Sequence, residues 1–123
     1  MNPSEIAAVR YHVSPVQDPY SFKDSESWGT FVRYIELADD AFVLRQVDEF
    51  ANGYLTRYDR IHWDDQFGSL ADFRFDELWI SHWGQPVLIT LSEFERKWTL
   101  AGSSPPMAQR NRSPQSQPPW IKS

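Results

Sequence analysis

The sequence predicts an α+β fold, an antiparallel β-meander of three or more strands packed against a short C-terminal helix, followed by a disordered tail. Three observations carry this expectation. Residues 30–61 contain three runs rich in β-branched and aromatic residues, separated by turn signals. A capped, amphipathic stretch follows at 90–101. Beyond it, residues 103–123 hold five prolines and almost no aliphatic side chains, so burial cannot offset the entropy of ordering them.

The elements follow in chain order. Residues 1–27 carry Pro3, Pro15 and Pro19 and the polar run SFKDSES, and read as a partly ordered N-terminal segment with a short strand near Val9–Val13. The domain proper is expected over 28–101. TFVRYIEL (30–37) is the first strand of the meander and ADD its turn; AFVLRQVDEF (41–50) is the second strand and GYLTRYDRI (53–61) the third. Between the last two, Asn52-Gly53 tolerates the positive φ that a tight type I′ turn requires. In the second strand Phe42, Leu44 and Phe50 mark one face and Val43 and Val47 the other. Such a sheet is apolar on both sides, with a helix covering one and chain segments the other.

HWDDQFGSLADFRF (62–75) reads as an ordered loop, LWISHW (78–83) as a short strand or helical turn, and PVLI (86–89) as an extended segment. In the helix, Thr90 and Glu93 have the spacing of a capping box, and Ile89 and Phe94 that of a hydrophobic staple. Leu91, Phe94 and Trp98 share the face that packs on the sheet, and Gly102 closes the helix.

Composition narrows the function. There is no cysteine, so disulfides and thiolate metal sites are excluded. The N-terminus lacks the basic-then-apolar pattern of a signal peptide, and no apolar run reaches the length of a membrane span, which gives a cytoplasmic expectation. The net charge of −5 is uneven: residues 13–101 hold sixteen acids against eight bases, whereas 102–123 hold three bases and no acid. A middle portion of that charge repels nucleic acid and attracts basic surfaces.

The richest chemical stretch is Tyr58-Asp59-Arg60-Ile61-His62-Trp63-Asp64-Asp65. Its oxygens could suit a hard cation, but the spacing follows no calcium loop, and His12 and His82 have no second histidine three or four residues away. The simpler reading is a loop whose aspartates cap turns and pair with Arg57 or Arg60. There is no Gly-x-Ser-x-Gly elbow and no phosphate-cradling glycine loop. The expectation is a protein without enzymatic activity, metal or cofactor. Of six tryptophans, Trp63, beside two aspartates, is the one expected at the surface.

The order of features resembles a family. Tyr34-Ile35-Glu36-Leu37-Ala38-Asp39-Asp40, then Val43 to Phe50 with Arg45, Val47 and Phe50, then Gly53, and finally Ile89-Thr90 and Glu93-Phe94-Glu95 with Trp98, are similar to small bacterial domains of the immunity-protein kind. The likeness covers about residues 30–98. It implies the fold and a toxin-neutralising role, and it carries no functional residues across. The expected function is therefore non-catalytic protein binding, with a basic, nuclease-like toxin as partner. Asp39, Asp40, Asp59, Asp64 and Asp65 would supply an acidic face and Trp63 its anchor. The alternative is a small adaptor or regulatory subunit of a cytoplasmic assembly, docking through its tail. In either case the partner is a protein, with no nucleic acid and no membrane.

Overall fold

A computed structural model describes residues 8–13, 22–38, 42–71 and 86–111. The α+β expectation holds. β1 (Ala8–Val13), β2 (Phe31–Leu37), β3 (Val43–Phe50), β4 (Leu55–Asp59) and β7 (Val87–Ile89) form one antiparallel sheet in the order β4-β3-β2-β1-β7. β5 (Asp64–Asp65) and β6 (Gly68–Ser69) make a separate small hairpin. Among the described residues one α-helix, α1 (Leu91–Gly102), comes after the β2–β4 meander. Among these residues no helix is long and apolar enough to cross a membrane.

The three strands of the meander lie where their composition placed them, and the N-terminal segment does more than its prolines suggest. β1 is an inner strand, paired with β2 from Ala8↔Glu36 to Val13↔Phe31 and with β7 on its other side. PVLI supplies β7. LWISHW lies outside the described residues, as does the tail tip Trp120-Ile121.

Two local expectations need correction. The β3–β4 connection is a three-residue loop and not a type I′ turn. The Phe50 N–H donates to the Tyr54 carbonyl and the Gly53 N–H to the Phe50 carbonyl, so Ala51, Asn52 and Gly53 form the loop. Gly53 alone takes the left-handed conformation there, at φ 95°, as the closing residue of such a loop must. The face assignment in β3 also changes. Glu36 pairs with Arg45 but Leu37 with Val43, so Leu44 is an extra residue bulged out of the ladder. The bulge turns Val43 onto the face of Phe50, leaving Val47 on the other.

The sheet is buried on both sides. Phe31, Ile35, Val43, Phe50 and Tyr58 line one face, under Leu70 and Ala71 from beyond the hairpin. Tyr34, Val47 and Ile89 line the other, under Phe94 and Ala101 of α1. Thr90 caps α1 as expected, accepting from the Glu93 N–H at 3.2 Å, and Ile89 and Phe94 share one cluster as a staple should. Trp98 lies between the Arg45 and Arg57 guanidinium groups, 5.0 and 4.8 Å from its ring.

The chain does not loosen after Gly102. Ser104 is buried, Pro105–Ala108 form a 3-10 turn that buries Pro106, and the segment runs along β4 as far as Asn111. Expecting a flexible tail from 102 onward overlooked what so few apolar side chains leave unsaid: polar contacts to the sheet edge can order a proline-rich segment. Residues 112–123 lie outside the described part.

Candidate functional site

The site is built where β4 runs into the small hairpin. Asp59 ends β4, and its Oδ1 accepts from the Ile61 N–H at 2.9 Å and the His62 N–H at 2.7 Å. A carboxylate capping its own following turn is the role such a residue takes most readily. The hairpin then brings Asp65 back beneath the sheet face. Its side chain is 0% exposed, and Oδ1 accepts from the Tyr58 hydroxyl at 2.9 Å and from the Phe67 and Gly68 amides at 2.8 and 3.2 Å. Gly68 is required by this approach, because a Cβ there would stand 2.8 Å from the Tyr58 hydroxyl.

The Asp65 Oδ2 receives Arg110 Nε at 3.0 Å. Arg110 also donates from Nη2 to the Arg57 carbonyl at 2.7 Å, and its guanidinium lies over the Tyr58 ring at 5.3 Å. Burial, then the Asp65 and Asp48 carboxylates, push the Tyr58 phenol well above its ordinary pKa. The phenol therefore remains a proton donor to Asp65 throughout the neutral range. A buried carboxylate is tolerated here because it accepts four hydrogen bonds and faces one cation.

Gln66, between the two hairpin strands, grips the main chain on either side of Arg110. Its amide donates to the Gln109 carbonyl at 2.9 Å and accepts from the Asn111 N–H at 2.8 Å. His62 Nε2 bonds the Asn111 carbonyl at 2.8 Å. Further back, Ser104 Oγ accepts from the Leu55 N–H at 2.9 Å.

A second polar group lies on the same sheet face. Arg33 grips Asp48 with two bonds, Nε–Oδ1 at 2.8 Å and Nη2–Oδ2 at 3.2 Å. Gln46 donates to Asp48 Oδ2 at 3.1 Å and to the Ser69 carbonyl at 2.9 Å, and accepts from the Ala71 N–H at 2.8 Å. These bonds fasten the hairpin to β3, and Ser25 Oγ adds another by donating to the Phe67 carbonyl at 2.7 Å.

The expected site residues thus divide. Asp59, Asp64 and Asp65 share the hairpin region, but only part of their charge faces outward. Asp65 points inward to Arg110, and Asp59 is committed to its turn. Asp64 is half-buried, and burial followed by the neighbouring Asp65 raises its pKa. Trp63, expected at the surface, is half-buried and packs on the cluster of Phe31, Ile35 and Phe50. Asp39 and Asp40 lie outside the described residues. The described residues contain ten acids and nine bases, so seven of the seventeen acids, and only three of the twelve bases, belong to other segments. No group of three or more potential metal ligands is found among the described residues.

The sequence reading included Tyr58 in its chemical stretch without a role, and missed Gln66 and Arg110. One signal was present for the second polar group: Gln46 and Asp48 alternate in phase with the apolar Phe50, which places polar side chains on a covered face. No protein-family model matches the sequence, and neither a curated protein nor a solved structure matches it.

Proposed function

We propose that the chain is a non-catalytic protein-binding domain whose partner is a basic polypeptide, and that it acts as an inhibitor of the immunity-protein kind against a nuclease-like toxin. The single observation that supports this reading most is the Asp65 pocket. A fully buried carboxylate, flanked by an aromatic ring and an edge-strand main-chain carbonyl, receives the guanidinium group of Arg110. Such a set of acceptors matches the planar fork of arginine. The net charge of −5 adds long-range attraction to a basic partner, which speeds encounter and weakens with salt.

The test is calorimetric titration with the basic product of an adjoining gene at two ionic strengths. A complex that loosens at high salt is expected, and removing residues 112–123 should leave its affinity unchanged. Failure to bind basic proteins even at low salt would overturn the proposal. Affinity lost with residues 112–123 would instead favour an adaptor that docks through its tail.

A further inference from the structure

We propose that the trough between β4 and the β5–β6 hairpin is a peptide groove that reads one arginine in an extended main chain, and that residues 104–111 fill it as an internal ligand. This rests on the reading of the chain as a binder of basic polypeptides and names the site and its regulation.

The contacts fall into two kinds. One reads a side chain: Arg110 meets Asp65 Oδ2, the Arg57 carbonyl and the face of Tyr58 together. The acceptors lie in different directions around the guanidinium, an arrangement that an ammonium on a flexible stem does not reproduce. The other kind reads only main chain. Gln66 spans the carbonyl before the arginine and the N–H after it, and His62 takes the next carbonyl. Among the described residues, the groove meets Gln109 and Asn111 through their main-chain atoms and not their side chains. A foreign segment with an arginine between two ordinary peptide groups therefore presents the same features.

The groove is also built independently of its occupant. Asp65 is oriented by the Tyr58 hydroxyl and by the Phe67 and Gly68 amides, all from the body of the domain. The internal segment is held chiefly by these polar contacts. Its apolar anchorage consists of buried Pro106 and half-buried Met107. Pro105 and Pro106 lack N–H groups, so the segment cannot zip along β4 as a regular strand. At the outward Leu55 N–H and Arg57 carbonyl it offers side-chain substitutes, Ser104 Oγ and Arg110 Nη2. An incoming extended chain would meet the Leu55 N–H with a main-chain carbonyl and the Arg57 carbonyl with its arginine. Occupancy by the chain's own segment lowers apparent affinity in proportion to the fraction of time the groove is free.

The experiment uses the full chain and a fluorescent peptide copying residues 103–111, followed by anisotropy. The intact protein should bind the peptide feebly. Arg110→Ala, which empties the pocket, and Asn111→Pro, which removes one N–H from the segment and leaves the groove whole, should each tighten binding by about tenfold or more. Replacing the peptide's arginine by alanine should abolish binding, and lysine should not restore it. Native near-UV dichroism is confirmed for each variant, and should Arg110→Ala fail to fold, Asn111→Pro decides alone. The proposal is overturned if folded variants ignore the peptide or bind the arginine and alanine peptides alike. It is equally overturned if light scattering shows that the intact chain is a dimer which Asn111→Pro separates, since the occupant would then be a second copy. Binding of a basic protein is measured in parallel. A chain that binds the protein and not the peptide loses the groove and keeps the broader reading.

Discussion

The two faces of the sheet solve the same problem in opposite ways. Under α1 the centre is apolar, with Val47, Phe94 and Ala101 fully buried, and of the charged groups around it only Glu36 is buried. There Arg45 grips Glu36 at 2.6 and 3.0 Å and also holds the half-exposed Glu95, while Lys97, over the Tyr34 ring, meets Glu49 at 3.0 Å. Under the hairpin the charge lies inside. The Arg33 and Asp48 side chains are 8% and 4% exposed, and the fully buried Asp65 carboxylate bonds Tyr58 of the core cluster. A helix satisfies its own main chain and needs only a greasy stripe to dock, whereas a two-residue hairpin has peptide groups left over. Gln46, Asp65 and Ser25 supply those groups with partners, so burying polar side chains is what lets so short an element cover a sheet.

The contrast makes unequal predictions. Asp48→Ala leaves the Arg33 guanidinium buried without its carboxylate and should cost about 3–5 kcal/mol in urea unfolding, whereas the double change Arg33→Met with Asp48→Leu should recover most of it. A single-variant loss as small as that of a rim pair would erase the distinction between the faces. Tyr58→Phe removes one of the four bonds to Asp65 and should cost about 1–3 kcal/mol, with the hairpin amides of Phe67 and Gly68 exchanging faster in hydrogen exchange. Glu95→Gln tests the rim. Glu95 is half-exposed, so the cost should stay below about 1 kcal/mol. The hydrogen bond from Arg45 lowers the Glu95 pKa, so its contribution exists above the ordinary carboxylate range and disappears as pH falls; the variant and parent should converge in acid.

Asp64→Asn should have the smallest effect and the opposite sign. Burial and Asp65 raise the Asp64 pKa, so the folded state favours the protonated form and loses stability as pH rises through that raised value. The asparagine variant should be slightly more stable near neutrality and equal to the parent below the ordinary carboxylate range. Thermal melts across pH settle it.

What could be read from the sequence follows from the range of each signal. The three strands of the meander, the Thr90 cap and the Ile89–Phe94 staple depend on residues at most a few positions apart, and all are present. The Asn52-Gly53 signal located its hairpin and misjudged the loop, because Gly53 serves a three-residue connection as well as a two-residue one. The bulge at Leu44 depends on register with β2, which no local pattern encodes. The site was half legible. Its acidic stretch was found, but Asp65 was read as surface because its partner lies 45 residues away in a segment whose composition suggests disorder. Trp63 failed for a related reason: charged neighbours in sequence did not keep its ring from packing inward.

The outer rim of β4 is finished with side chains and not with another strand. Bare peptide groups on such a rim act as a template on which identical chains stack. Ser104 and Arg110 occupy two of those groups, at Leu55 and Arg57. Cleavage after Gly102 would therefore create a growing end: the shortened protein should cloud and form fibres at concentrations where the full chain stays clear.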